Sequence, residues 1–301
     1  MTFFPWKRAL RSKRAWFSAL TILGLGLVAG LAPWLAPHDP FRLNPSQASR
    51  PPMWVRTALS AGQPEYPLGT DRYGRDVLSR LLYGTRTAFC LALTAVPLAA
   101  ALGTLAGLVA GYAGGRLAAA LMALIDLLQT LPSLMFLVIC VLIMRGQLAP
   151  TWFNGLLTLV VGFAAVNWTS LARLIRVAVL RLKTQLFVEA ARSVGASAGF
   201  ILLRHILPNV LHLSLAWIIN NIPAVILLEA VLGYIGVGVT TAVDGDEFLV
   251  ISWGGLFYAG RSALSRNPFM LILPAAGLLL LSLSFILLAD FLNGLSRPEP
   301  D

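Results

Sequence analysis

Long apolar runs separated by short polar interruptions dominate this chain. Five runs are long and apolar enough to cross a bilayer unaided, by the rule of about 20 residues per crossing. They lie near 16–37, 88–112, 117–144, 211–239 and 268–291, the 211–239 run being interrupted by Pro and Gly. A sixth, about 156–175, is broken by Asn167, Thr169, Ser170 and Arg173 but still reads as a span. The pattern predicts an all-α integral membrane protein with six transmembrane helices. A kink is predicted at Leu131-Pro132, inside the third span.

One interruption differs from the others. Residues 187–209 read FVEAARSVGASAGFILLRHILPN, too polar to cross a bilayer and too periodic for a simple loop. Val188, Ala191 and Val194 recur at helical spacing, as do Phe200, Leu203 and Leu207, so each half presents an apolar stripe. Gly195 and Gly199 bracket Ala-Ser-Ala, where a helix turns sharply. Pro208 restarts the chain into the next apolar run, at a position where proline costs little. The expectation is two short helices parallel to the membrane, joined at a glycine, forming a knob that another protein can grip.

Composition agrees with the pattern. The chain is 57% hydrophobic and 12% charged, with a mean hydropathy of +0.78, against about 25% charged residues in an ordinary soluble domain. The first span is longer than a signal-peptide core and ends in no Ala-x-Ala site, so it reads as a retained helix. Cys90 and Cys140 both fall inside spans and offer neither a disulfide framework nor metal spacing.

Basic residues set the orientation. Lys7, Arg8, Arg11, Lys13 and Arg14 precede the first span with no acid among them, which places the N-terminus in the cytoplasm. Six crossings then put the 187–209 segment and the C-terminus on the cytoplasmic side too, where Arg173, Arg176, Arg181, Lys183, Arg192 and Arg204 agree. The organisation predicted is a cytoplasmic N-terminus and first helix over 1–37, an external loop over 38–86, and a membrane core over 87–301. The external loop holds seven arginines, but long loops weigh little in the charge rule. The net charge of +10 is scattered over both faces without a basic-aromatic groove. It fits topology and anionic lipid headgroups rather than nucleic acid.

The loop has a Pro-, Ser- and Asn-rich first half, expected to be irregular. Its second half predicts a turn at Leu68-Gly69-Thr70-Asp71 and a helix from Tyr73. Asp71, Asp76, Arg72, Arg75 and Arg80 sit close enough to pair. They either clamp the loop to itself and to helix ends, or meet a partner at the mouth of a pathway.

Acids inside spans are functional candidates by default. Asp126 sits in LIDLLQTLPS, with Gln129 and Thr130 one turn on to share its hydrogen bonds. Glu229 precedes Gly233, Gly236 and Gly238, which suit close helix contact or a broken helix. Asp290 lies near a cytoplasmic end, where interfacial solvation accounts for it. Asn220, Asn221 and Pro223 are further pathway candidates, or packing glue between helices. The three histidines form no protease constellation, and no inverted repeat marks a secondary transporter.

The segment EAARSVGASAGFILLRHILPN resembles the cytoplasmic EAA loop of ABC importer permeases. Glu189-Ala190-Ala191, Gly195 and Leu207-Pro208 match in register, and His205 stands where the family pattern has Ile. PLGTDRYGRDVLSRLLYGTR over 67–86 resembles the dipeptide/oligopeptide/nickel subfamily. Gly69, Asp71, Gly74, Arg75 and Asp76 are the marks of that motif. So do Glu229-Ala230 followed by GYIGVGV, Ser252-Trp253-Gly254, and the closing LLADFLNGL. Within that subfamily the chain is similar to the C-type permease. A departure is the acidic insert TTAVDGDEFLVI, with Asp244, Asp246 and Glu247.

The resemblance implies a subunit of an ATP-driven importer in the bacterial cytoplasmic (inner) membrane. It implies a B-type permease as partner, two ATPase subunits that bind ATP and Mg, and an external or periplasmic solute-binding protein. The coupling helices, about 185–208, would dock in an ATPase groove through Glu189, Ala190, Ala191, Gly195, His205, Leu207 and Pro208. Glu189 would meet basic groups there or cap its own helix. The chain has no G-x-x-x-x-G-K-[ST] of its own, so it needs no cofactor and is not itself an enzyme. The cargo implied is a small peptide, with nickel or a metallophore chelate as the alternative.

Overall fold

The computed structural model describes residues 12–56, 61–148, 152–237, 250–261, 263–264 and 267–295. Asp244, Asp246 and Glu247 of the acidic insert and Lys7, Arg8 and Arg11 of the N-terminus lie outside them. Among the described residues the only strand-like pairings are two isolated bridges, Arg56 with Ala61 and Thr70 with Asp76.

Helix α1 (Lys13–Leu35) starts at Ser12, whose hydroxyl accepts from the Ala15 N–H at 3.3 Å. It buries only the small residues Ala15, Ser18, Ala29 and Ala32. Leu20, Leu23 and Leu27 stay open, as a lipid-facing helix requires. Helix α2 (Val77–Ala113) is 37 residues long. At 1.5 Å per residue that is roughly 55 Å, well beyond a hydrocarbon core of about 30 Å. The end of the loop and the second span are therefore one helix, unbroken across 86/87. It begins at Val77 rather than Tyr73, because Gly74 is left-handed at φ 75° and Asp76 caps the helix.

The third span is two helices, α3 (Gly115–Thr130) and α4 (Ser133–Gln147), set 91° apart. The kink falls at the predicted Leu131-Pro132, but it is a full break. Proline has no N–H for the ladder, and it drives the residue before it out of the helical region. Leu131 accordingly sits at φ −79°, ψ 133°.

Helix α5 (Trp152–Leu182) packs along α2. Gly103, Gly107 and Gly111 make the close approach. A Cβ on Gly107 would lie 2.6 Å from the Ala172 carbonyl oxygen and 2.7 Å from Ile175 Cβ. With Ala95 and Ala99 they form a small-residue stripe, the device by which membrane helices bring their backbones together. Contacts advance in step, Gly103 with Trp168 and Leu171, Gly111 with Arg176 and Val179, so α2 and α5 run parallel. Parallel neighbours need an odd number of crossings between them. The bent α3–α4 pair therefore supplies one crossing, and the total is six.

Two short elements follow, α6 (Leu186–Ser193) and α7 (Ala198–Ile201). A π turn over Leu202–Ile206 leads into α8 (Leu207–Tyr234). Helix α9 (Trp253–Arg261) is a short inserted helix, and α10 (Phe269–Leu295) is the last span. The central core joins Leu91, Ala95 and Val96 of α2 to Leu137 and Val141 of α4, Leu159 and Phe163 of α5, Val225 and Ile226 of α8, and Leu281 of α10.

Candidate functional site

The 187–209 segment builds a knob at the end of the bundle where α2 and α5 finish. Its inward stripe is Val188, Ala191, Ile201 and Ile206, packed on Leu108, Ile175 and Val179. Gly195 makes the turn. The Gly195 N–H donates to the Arg192 carbonyl at 2.9 Å and the Ala196 N–H to the Ala191 carbonyl at 3.0 Å, with Gly195 at φ 81°. This is a Schellman ending, which wants glycine at that position. No atom would meet a Cβ there, so backbone conformation alone imposes the residue. Gly195→Ala is expected to cost about 1–2 kcal/mol by the left-handed penalty, read as a lower unfolding temperature of the purified permease.

Two expectations change here. Gly199 does not help make the turn but lies inside α7, whose N-cap is Ser197. The second half of the knob is not a separate helix, because the π turn carries it without a break into α8. The Leu207 N–H reaches the Leu202 carbonyl, and the wider turn lets Pro208 continue the helix without an N–H of its own. The side-chain amide of Asn209 covers the His205 carbonyl at 2.6 Å. The His205 ring stands between Phe187 and Phe200, at 6.3 and 5.7 Å, and ties the two halves together.

The outer face of the knob is open. Leu186 is 82%, Val194 84% and Leu203 67% exposed. Glu189 lies in the first turn of α6 and is exposed. Gln185, the N-cap residue, makes no side-chain cap, and the Glu189 carboxylate has no hydrogen bond or ion pair among the described residues. Ala190 is exposed, Ala191 buried, Leu207 half-buried and Pro208 exposed. The periodic stripes Val188–Ala191–Val194 and Phe200–Leu203–Leu207 do not each keep to one side: Val188 and Ala191 are buried, while Val194, Phe200 and Leu203 are exposed. The left-handed turn at Gly195 swings Val194 outward.

The opposite end is closed by the loop motif. Asp71 Oδ1 accepts from the Tyr73 and Arg75 N–H groups at 2.9 and 3.0 Å, and Oδ2 accepts from Arg75 Nε at 2.7 Å. Arg80 lies 4.0 Å from the same oxygen and donates to the Pro40 carbonyl at 3.3 Å. Asp76 caps α2 through Leu78 and Ser79. Gly69 and Gly74 are both left-handed, at φ 79° and 75°. Asp71, Arg75, Asp76 and Arg80 are all buried, which is the geometry of a clamp; only Arg72 of the five charged residues is exposed. Asp71→Asn leaves two buried guanidinium groups short of their counter-charge. The expected loss is about 3 kcal/mol, measured by thermal unfolding in detergent.

Ser252-Trp253-Gly254 locks α9 into this end. The Trp253 indole N–H donates to the Leu81 carbonyl at 3.2 Å, and the Thr87 hydroxyl donates to the Ile251 carbonyl at 2.6 Å. Gly233 and Gly254 touch so closely that a Cβ on Gly233 would lie 2.3 Å from Gly254. Gly236, at φ 82°, ends α8. Glu229 is buried with Ser252 and Gly254 facing its carboxylate, while Oε1 has no hydrogen-bond partner. It holds α8 to α9.

The other candidates separate by exposure. Asp126 is bonded not to Gln129 or Thr130 but to Arg173, 2.5 Å away on α5. The Thr130 hydroxyl turns back to the Leu127 carbonyl. A short side chain near the end of α3 reaches across to a long cation on the neighbouring helix more readily than along its own. Asn220 and Asn221 bond back to the Ala216 and Trp217 carbonyls at 2.7 and 2.8 Å. Asn220 is exposed and Asn221 half-buried. Asp290 is exposed near the end of α10.

Six crossings and a projecting helical knob define a multi-pass membrane protein. The comparisons make the family particular. Residues 103–299 match the model of the binding-protein-dependent transport system inner membrane component, and residues 5–52 match the N-terminal TM domain of oligopeptide transport permease C. The chain belongs to this family of binding-protein-dependent permeases. It is 31% identical to the dipeptide transport system permease protein of Haemophilus influenzae, over 98% of this chain and 93% of the relative. It is 31% identical to the di/tripeptide transport system permease protein of Pseudomonas aeruginosa, over 98% and 91%. It is 28% identical to the oligopeptide transport system permease protein of Bacillus subtilis, over 98% and 90%. The fold is shared with a chain of the inward-facing MetNI methionine ABC transporter, at TM-score 0.53 and 18% identity, covering 73% of this chain and 98% of that one.

Proposed function

We propose that this chain is the C-type permease subunit of an ATP-driven importer of small peptides. The knob is the observation that carries the reading. It is fixed to the ends of α2 and α5 from inside, exposes Leu186, Val194 and Leu203 together with Arg192 and Arg204 outside, and bears a carboxylate at Glu189 that has no partner among the described residues. Such a surface suits a groove on a separate ATPase, with Glu189 meeting a basic group rather than capping its own helix. Rigid attachment matters as much as exposure. The knob continues without a break into α8, so force applied to it passes directly to a membrane span.

Relatives named for dipeptides, di/tripeptides and oligopeptides support peptide as cargo over nickel or a metallophore. In this reading a B-type permease completes the pathway, two ATPase subunits hold ATP and Mg, and an external binding protein delivers the peptide. The basic residues flanking the first span and the knob support a cytoplasmic placement of both termini in a bacterial inner membrane. Asp126 and Asn220 face the pathway, with Asn221 and Glu229 behind them holding the helices. The chain itself catalyses nothing; hydrolysis belongs to the ATPase subunits.

Purification of the tagged chain from its native membrane tests the assembly. The expected result is recovery of a second permease and an ATPase in mild detergent. Recovery of the chain alone, or only as a homo-oligomer, contradicts it.

A further inference from the structure

Polar side chains that remain open on a membrane helix face a water-filled route or a partner, because lipid receives them poorly. One strip of this kind crosses α3, α5 and α8. Asp126 Oδ1 and Arg173 Nη2 are 2.5 Å apart, yet the two side chains are 62% and 51% exposed. One turn back on α5, the exposed Ser170 accepts from the Trp217 indole N–H at 3.2 Å. One turn on from Trp217, Asn220 is exposed on α8.

The strip lies within the predicted spans, with Asp126 inside 117–144, Ser170 and Arg173 in the last turns of 156–175, and Trp217 and Asn220 inside 211–239. Measured from Gly115 at the start of α3, Asp126 is roughly 17 Å along the axis. Measured from Leu207 at the start of α8, Asn220 is roughly 20 Å along. Both helices start at the knob end, and Arg173 lies near the cytoplasmic end of the 156–175 span, so the strip sits on the knob side of the bundle. The chain thus holds a full charge pair within its spans and leaves it uncovered.

Resting on the peptide-permease reading above, we propose that Asp126 and Arg173 form a dipolar subsite on the pathway wall. Asp126 takes the ammonium end of a passing peptide and Arg173 takes its carboxylate end. A short peptide at neutral pH carries both charges whatever its side chains are, so these are the features a permease tolerant of sequence can read. A guanidinium presents a fork that matches a carboxylate. With no peptide bound, each charge satisfies the other, so neither is left unpaired in a poorly hydrated place. The same self-pairing competes with the peptide and keeps its hold weak enough for release, as a conducting pathway needs. Ser170, Trp217 and Asn220 continue the strip with neutral donors and acceptors that suit a peptide backbone.

The test is uptake of radiolabelled dialanine by the complete importer in proteoliposomes, both permeases, both ATPases and the binding protein included. Asp126→Asn and Arg173→Gln are each expected to lower uptake at least tenfold, with ATPase co-purification and accumulation in the membrane retained. The double variant Asp126→Asn/Arg173→Gln is expected to show no recovery, since both ends of the subsite are gone. A structural strut behaves differently, because removing both charges relieves the unpaired one. Recovery of the double variant to within about twofold of wild type overturns the proposal, as do single variants that keep uptake within about twofold or that fail to accumulate in the membrane. If the unmodified importer takes up no dialanine or other short peptide, the peptide reading falls and the subsite with it. If it does and the double variant keeps pace, the subsite alone falls.

Discussion

Gly107→Leu is expected to abolish assembly of the permease. The α2–α5 contact is a long close-packed seam, with Gly103, Gly107 and Gly111 against the backbone and side chains of α5. A Cβ on Gly107 already comes within 2.6 Å of the Ala172 carbonyl oxygen, and that carbonyl belongs to helix backbone that cannot turn aside. Leucine adds three further carbons. Small overpacking changes in a well-filled core cost about 1–3 kcal/mol; here the whole helix must move, and Leu171, Ile175 and Val179 lose their seats together. The measurement is the yield of folded, monodisperse permease from membranes, with Gly24→Leu as control. Nothing lies within 4 Å of a Cβ on Gly24, so that variant should accumulate normally. Equal yields of the two variants would show that the seam is not what holds the bundle.

Uptake is expected to fall at least tenfold in Glu189→Arg and in Val194→Asp, without loss of folded protein. Both side chains are exposed and lie off the inward stripe, and Val194 is 84% exposed. Stability therefore has little reason to change. The ATPase interface has every reason to change: one variant replaces the knob's single carboxylate by a cation, and the other puts a carboxylate among its exposed apolar side chains. A tenfold loss is about 1.4 kcal/mol of interface, modest for a residue in the centre of a docking surface. Co-purification of the ATPase should fall in parallel with uptake. Variants on the buried stripe, such as Val188→Asp, should instead lower the yield of folded protein. That contrast separates docking from folding.

Most of the architecture is legible in the sequence because membrane spans announce themselves by length and composition. The Pro132 break and the glycine turn of the knob are legible for the same reason, since proline and glycine act locally. What escaped depends on neighbours. The start of α2 at Val77 depends on Asp71 gathering backbone N–H groups into a turn, which charge spacing alone does not reveal. The stripe at Gly103, Gly107 and Gly111 is visible as a repeat only once α5 is known to lie against it. Arg173 read as an interruption of a span, and its role emerged when α3 and α5 brought Asp126 within reach. Val194 shares the helical period of the buried Val188 and Ala191, yet beside the left-handed Gly195 it is exposed.

The central claim is that this chain forms part of a peptide pathway driven from its knob. Reconstituted with the second permease, two ATPases and the binding protein, it should accumulate radiolabelled dialanine inside proteoliposomes only when ATP and the binding protein are both present, and Glu189→Arg should lower that accumulation at least tenfold. Uptake that proceeds without ATP, or that is unchanged by Glu189→Arg, contradicts the account.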